Sequence, residues 1–270
     1  MTIDERVLRH YELHDEAARL RGSARGQLTR LRTWDIFERF LPAGGRVADV
    51  GGGPGVHAAH LASQGYEVML VDPVLRHVRQ AALAGGGAGF GCCLGDAREL
   101  PLPDAGLDAV LLFGPLYHLS DAADRQQALR EAFRVLRPGG RLLAEVITRH
   151  AWILDAASQA LLGQPGIWST FEVNLRTGLS NDPGQVPEGA FWAYFHHATD
   201  LGPEVEQAGF SLGRLLPVEG FAWLLGNLED LLAQPENLLR AIRLTESEPS
   251  MLGASAHVIA VGCKPRHDGP

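Results

Sequence analysis

The chain has 270 residues, 46% of them hydrophobic, enough for one large domain or a domain with a lid. Its net charge is −8 with no basic run, which disfavours nucleic acid as the main partner. No apolar run nears the ~20 residues that span a bilayer, so no membrane segment is expected.

The charged start, Met1-Thr-Ile-Asp-Glu-Arg6, does not read as a signal peptide. Cys92 and Cys93 are neighbours, which rarely bridge, and with Cys263 they make no zinc spacing. A reducing cytoplasm is the expected setting. Lysine is nearly absent (Lys264) and Ala, Gly and Leu abound, the usage of a GC-rich bacterial genome.

Residues 4–21 and 26–41 read as amphipathic helices, the second with a stripe of Leu28, Leu31, Ile36, Phe37 and Phe40. Strands are expected at 46–50, 67–71, 89–93, 107–113 and 141–147, with helices near 55–64, 74–84 and 121–137. This alternation predicts a doubly wound α/β sheet. Arg134-Val-Leu-Arg-Pro-Gly-Gly140 reads as a helix end and a turn. Then the alternation stops. Residues 150–162 look helical, 163–190 irregular, and Phe191-Trp-Ala-Tyr-Phe-His-His197 forms an aromatic segment. A helix at 199–209, a strand at 210–217, a helical insert at 221–245 and a last strand at 258–263 complete the chain. Segments 149–195 and 221–250 are expected to form a lid beside the ligand end of the sheet.

The richest stretch is Arg46-Val-Ala-Asp-Val-Gly-Gly-Gly-Pro-Gly55, a strand with an acid near its end running into a glycine loop. Glycines there let the backbone turn tightly and approach a ligand. Gly53-Pro-Gly55-Val-His-Ala58 also satisfies a dinucleotide fingerprint, but that frame starts late and leaves Asp49 unexplained. A P-loop would need Gly-Lys-Ser/Thr, which is absent. A carboxylate two residues before the first glycine would repel a pyrophosphate and attract an ammonium. S-adenosylmethionine (SAM), with its amine and sulfonium, suits the pattern better than NAD. The second strand also ends in an acid, Asp72, which either accepts ribose hydroxyls or caps the helix that follows.

Asp49-Val-Gly-Gly-Gly-Pro-Gly55, Val71-Asp72, Gly95-Asp96-Ala97, Leu112-Phe-Gly-Pro-Leu-Tyr-His-Leu119 and Leu136-Arg-Pro-Gly-Gly140 together resemble the class I SAM-dependent methyltransferases. The motifs keep family order and spacing over about residues 40–148. The stretches Ala193-Tyr-Phe-His-His197, Gln207-Ala-Gly-Phe210 and Val218-Glu-Gly220 resemble a subgroup of bacterial small-molecule methyltransferases. The resemblance implies a Rossmann-like seven-stranded sheet, mostly parallel with the last strand antiparallel. It divides the single domain into N-terminal helices (1–41), a SAM-binding core (42–148) and the lid. It also implies cofactor contacts at Asp49 (methionine amine), Asp72 (ribose) and Asp96 (adenine amino group), with Gly51, Gly53, Pro73, Ala97 and Phe113 in the cradle.

The loop after the fourth strand, Phe113-Gly-Pro-Leu-Tyr-His118, should line the gap between cofactor and acceptor. It lacks the Asn/Asp-Pro-Pro-Tyr/Phe pattern of enzymes acting on nucleobase and glutamine amines. No acid and Asn set for a metal-dependent enzyme stands out, so no metal is expected. Tyr117, His118 and His197 are the candidate catalytic groups, since a histidine is the natural general base near neutral pH. Structural roles, as helix-start or packing histidines, stand beside this reading. Tyr11 either reaches over the cofactor or packs; His150 and Arg149 follow the fifth strand; His57 and His60 are expected to pack on the cofactor side or lie at the surface. The expected function is SAM-dependent methyl transfer to oxygen or nitrogen of a small molecule, in secondary metabolism. The alternative is C-methylation, cyclisation or another reaction on the same fold.

Overall fold

The computed structural model describes residues 4–266 apart from 15, 17–19, 21, 185 and 187. Two helices come first, α1 (Glu5–Leu13), capped by the Asp4 carboxylate, and α2 (Ala24–Phe40), capped by the Ser23 hydroxyl. The expected helix over 4–21 thus stops at Leu13, and part of its remainder lies outside the described residues.

The apolar runs then become strands: β1 (Arg46–Val50), β2 (Glu67–Asp72), β3 (Gly91–Leu94), β4 (Leu107–Leu112) and β5 (Leu136–Ile147). Between them lie α3 (Val56–Ser63), α4 (Leu75–Ala88), the short α5 (Pro115–His118) and α6 (Ala122–Val135). Beyond β5 come α7 (Ala151–Ser158), α8 (Ile167–Thr177), α9 (Leu201–Gln207), β6 (Ser211–Pro217), α10 (Leu228–Leu232), α11 (Pro235–Thr245) and β7 (His257–Cys263).

The seven strands form one sheet in the order β3-β2-β1-β4-β5-β7-β6. The pairs from β3 to β5 are parallel, and β7 runs antiparallel to both β5 and β6. Strand order reverses between β1 and β4, which opens a crevice at their carboxyl ends. Helices cover both faces, so the central strands are buried on both sides. Along β4, Val110 and Leu112 enter one apolar cluster while Ala109 and Leu111 enter the other.

Two expectations change. Pro138-Gly-Gly140 is no turn before a strand; β5 begins at Leu136, paired with Leu107, and continues past a register shift. The Gly139 amide donates to the Lys264 carbonyl, and the Lys264 ammonium donates to the Phe133 and Leu136 carbonyls, closing the end of α6. The second change is in the segment 163–190, which contains α8. Gly166 and Gly178 flank it with φ of 78° and 83°, so glycines that read as loop are helix ends.

Segment 221–250 packs on α2 through Leu28, Trp223, Leu228, Leu232, Leu238 and Ile242. A buried charge network sits beside this contact. Arg32, fully buried, pairs with Asp35 and with Glu246; Arg39 donates to Glu246 at 2.9 Å, and Arg243 closes on Asp35. Removing Arg32 would take the most buried cation from two carboxylates, leaving Glu246 with Arg39 and Asp35 with Arg243. Arg32→Ala should therefore cost about 1–3 kcal/mol in urea denaturation. A loss below about 1 kcal/mol would show that the carboxylates find other partners or protons at little cost.

Candidate active site

A cavity of about 360 Å³ lies at the reversal point, over the ends of β1, β2 and β4 and below α1. Its floor is the glycine loop. Gly51 has φ +74°, and a Cβ there would stand 2.6 Å from the Pro115 ring and 2.9 Å from the Phe113 carbonyl. Gly53 has φ +54°, and a Cβ there would meet only the Glu16 side chain, at 3.8 Å. Only glycine adopts these angles without strain, and only glycine leaves this backbone bare to a ligand.

Asp72 fixes the loop from the next strand. Its Oδ2 accepts from the Gly53 amide at 2.9 Å, and its Oδ1 accepts from the Val74 amide at 2.8 Å. The His77 Nδ1 stands 3.2 Å from the same Oδ1. Asp72 thus ties the turn that leads into α4, whose N-cap residue Val74 has no side-chain cap bond, and the same side chain lines the cavity. Asp96 behaves similarly. Its carboxylate accepts from Arg98 Nε at 3.0 Å and Nη2 at 2.6 Å, and Arg98 reaches on to Asp124 at 2.7 Å. Burial acts to raise the Asp96 pKa, but the Arg98 bonds outweigh it and hold the group below its ordinary value.

The expected residues Gly51, Gly53, Asp72, Pro73, Asp96, Ala97, Phe113, Tyr117 and His118 all line this cavity. Asp49 does not. It lies fully buried under the loop, where a Cβ on Gly52 would meet its carboxyl at 2.7 Å. Neither oxygen has a hydrogen-bond partner among the described residues; the Ala58 amide is near enough to steady the charge a little. Burial, then the charge of Asp72, push its pKa up to about 7.

The acceptor side of the cavity is built from α5 and α1. The His118 Nδ1 lies 2.9 Å from the Trp192 carbonyl, so that nitrogen carries the proton and donates it. Nε2 is then an acceptor, and the Tyr11 hydroxyl lies 2.7 Å from it. Tyr11 thus reaches the cavity, beside the His77 ring at 4.8 Å. Tyr117 stands in the wall, and its carbonyl accepts from the Tyr194 amide at 2.7 Å. The aromatic segment after α8 therefore packs against α5 behind the cavity wall, and no described residue of 149–195 or 221–250 lines the cavity itself.

His197 lies outside this constellation. It is exposed, with its ring 6.3 Å from that of His150. Its neighbour His196 is fully buried on the other side, 3.5 Å from Glu204, and burial lowers its pKa against the pull of that carboxylate. The cause is backbone pairing: the His196 amide and carbonyl bond to Ile147 and Arg149, which turns both rings away from the cavity. Arg149 donates to the Phe195 carbonyl at 2.6 Å and the Leu175 carbonyl at 3.2 Å, joining the aromatic segment to α8. His60 stacks on Trp34 at 3.8 Å, while His57 lines the cavity.

Sequence reasoning missed Arg98, His77 and Glu145 in the wall. Arg98, two residues after Asp96 in a turn, was the one with a local signal. Glu145 had none, since an acid inside an apolar strand is visible only once β5 is placed.

A family model described as a methyltransferase domain matches residues 48–144. A demethylmenaquinone methyltransferase of Beutenbergia cavernae is 31% identical over 177 residues, covering 66% of this chain and 68% of that protein. An uncharacterised methyltransferase of Mycobacterium tuberculosis is 40% identical over 127 residues, 45% of this chain; the match spans about half, 49%, of that relative's length. Among solved structures, a SAM-dependent methyltransferase from Methanosarcina mazei superposes with a TM-score of 0.60 at 19% identity, covering 86% of this chain and 98% of its own.

The chain belongs to the class I SAM-dependent methyltransferases.

SAM is the cofactor, and the cavity of this methyltransferase fits it. Among the described residues seven carboxylates line the cavity against one guanidinium, that of Arg98. Such a field favours a cationic ligand and opposes a pyrophosphate. Among the described residues no group of three or more His, Cys, Asp or Glu stands where it could hold a metal ion. No helix among them is long and apolar enough to cross a membrane.

Asp49 gives this methyltransferase a pH signature. Between an ordinary carboxyl value of 3.8 and about 7, the unfolded chain releases this proton and the native chain keeps it. Its contribution to stability is complete below that window and falls by about 1.4 kcal/mol per pH unit across it. Asp49→Asn should remove this fall, so the variant gains on the parent as pH rises from 5 to 8. Parallel stability curves by urea denaturation would refute the assignment.

Proposed function

We propose that this methyltransferase transfers the methyl group to an oxygen or nitrogen atom of a small-molecule acceptor, without a metal. SAM supplies an activated methyl group on a sulfonium. The protein's task is to align the acceptor, exclude water and, where needed, take a proton. Alignment alone is worth up to about 7–11 kcal/mol.

In this reading Asp72 receives the ribose hydroxyls, and Asp96 with the Ala97 backbone receives the adenine. Gly51, Gly53, Pro73 and Phe113 complete the cradle through backbone and shape. Asp49 acts from beneath the loop and touches nothing in the cavity. The observation that carries the acceptor chemistry is the Trp192 carbonyl, His118 and Tyr11 chain. A carbonyl fixes the imidazole tautomer, and the basic nitrogen faces a phenol in the cavity wall. An acceptor hydroxyl or amine beside Tyr11 can pass its proton through that phenol to His118. Tyr117 shapes the same wall. The Beutenbergia cavernae relative is named for demethylmenaquinone; a similar acceptor with carbon as the receiving atom would also release a proton, that of the ring C–H, and the same base would serve it.

Calorimetry tests the cofactor assignments. SAM and S-adenosylhomocysteine should bind in the micromolar range and NAD should not. Asp72→Asn keeps the size of the side chain and one acceptor oxygen but loses the charge, and should weaken SAM at least tenfold, about 1.4 kcal/mol. Unchanged affinity would remove Asp72 from the site. For the base, labelled methyl transfer from SAM into a panel of phenols and amines gives the reading. His118→Gln should slow transfer roughly 10²–10⁴-fold while S-adenosylhomocysteine affinity stays within threefold. Equal rates for parent and variant would leave proximity as the whole mechanism.

A further inference from the structure

A second cavity, of about 280 Å³, opens on the same edge of the sheet beyond β5. It borders the first. Glu145 lines one cavity and Ile147 the other, two residues apart on one face of β5, so about 7 Å separates them. Tyr117, in the wall of the first, shares an apolar cluster with Ile147, Ala151 and Phe195, which line the second.

The lining of the second cavity is aromatic on one side and polar on the other. Trp152, Phe195 and Trp223 supply the rings. Trp152 and Phe195 lie 5.6 Å apart at 35°, and the Trp223 indole is fixed by its bond to the Ala254 carbonyl at 2.8 Å. The polar side is Glu219 with His257. Glu219 is buried yet accepts from the Thr29 hydroxyl at 2.8 Å, the Ser255 hydroxyl at 3.0 Å and the His257 amide at 3.0 Å. The His257 Nδ1 completes the set at 2.7 Å. Burial acts upward on Glu219, but His257 and Thr29 outweigh it and hold its pKa down to about 2. This carboxylate orients the imidazole, which lines the cavity.

The charges of the second cavity are already matched. Glu219 has its four donors, and Asp155 pairs with Arg25 at the mouth. A cationic ligand would find no unmet charge. A flat neutral ring would fill the space between the aromatic side chains, and a hydroxyl on it would meet an oriented histidine.

We propose that this second cavity holds the body of the acceptor, a planar and mostly apolar ring system whose hydroxyl group is read by His257. The inference rests on the methyl-transfer reading above and deepens it. Ring size and planarity are set by Trp152, Phe195 and Trp223, polarity by His257, and the reacting atom projects past Ile147 toward Tyr117 and the first cavity. His257 is here a positioning residue.

The probe is 2-naphthol, titrated by calorimetry into the full chain saturated with S-adenosylhomocysteine, with cyclohexanol and naphthalene as controls. The expected result is 1:1 binding of 2-naphthol and none of cyclohexanol. Ala256→Phe, which fills the cavity, should weaken 2-naphthol at least tenfold and leave S-adenosylhomocysteine within twofold. His257→Gln should bind naphthalene as the parent does but lose the preference for 2-naphthol. Absent 2-naphthol binding, or equal affinity in parent and Ala256→Phe, would overturn the proposal. A protein that fails to bind S-adenosylhomocysteine would instead overturn the cofactor assignments, a separate failure seen in the same titrations.

Discussion

One carboxylate holds the ligand end of this sheet in shape. Asp72 accepts the Gly53 amide of the loop after β1 and the Val74 amide at the start of α4, so two adjacent βα connections share a single anchor. The Gly51 amide adds a second tie, to the Val71 carbonyl at 2.7 Å. Without these bonds three glycines with positive φ, at 51, 53 and 55, would leave the loop free to wander. With them the loop presents bare backbone at a fixed height. The position of everything above it, from Asp96 on one side to Tyr11 on the other, is referred to that height.

The roof is built from equally few contacts. Arg76 of α4 donates to the Tyr11 and Glu12 carbonyls at 3.1 and 2.9 Å, and His10 lies 2.9 Å from the Gly189 carbonyl. The Arg6 guanidinium sits 3.6 Å over the Trp192 ring, worth about 0.5–2 kcal/mol. Thus α1 is clamped to α4 and to the aromatic segment at once. The Trp192 carbonyl that orients His118 belongs to that same segment. One clamp therefore carries both groups that bond to His118, the Tyr11 hydroxyl and the Trp192 carbonyl.

Legibility followed the range of the interaction that decides each feature. Strands β1, β2 and β4 were readable because burial on both faces writes a continuous apolar run into the sequence. The lining of the first cavity was readable because its residues sit within a few positions of strand ends. Features set by distant partners were not. The glycines around α8 looked like loop because the burial of Phe171 and Asn174 that supports the helix is tertiary. The start of β5 was masked by Pro138-Gly-Gly140, over which the pairing with β4 skips from Leu136 to Arg141 and which backbone bonds to Lys264 hold in place. His197 looked catalytic beside its neighbour, yet the backbone bonds of His196 to β5 decide which way each ring faces. Glu219 and His257 stand 38 residues apart, and although Val218-Glu-Gly220 stands out as a motif, nothing local joins it to His257.

Asp49 shows how a sound chemical inference can attach to the wrong atom. An acid before the glycine loop does argue for a cationic ligand, but the side chain that suggested it is sealed under Gly52. The field it implied is supplied instead by the acids of the cavity wall. Directly beyond the loop, α3 begins at Gly55 with no side-chain cap, its first-turn residues Val56 and His57 line the same space, and a helix N-terminus favours an anion. Negative walls and a positive helix end, held a few residues apart by one rigid loop, match a ligand that carries both signs on one small head. A pyrophosphate would satisfy the helix and be repelled by the walls; an amine alone would do the reverse. The amino acid portion of SAM, with an amine and a carboxylate on the same carbon, answers both, which is why the glycine loop alone is ambiguous and the loop with its acidic surroundings is not.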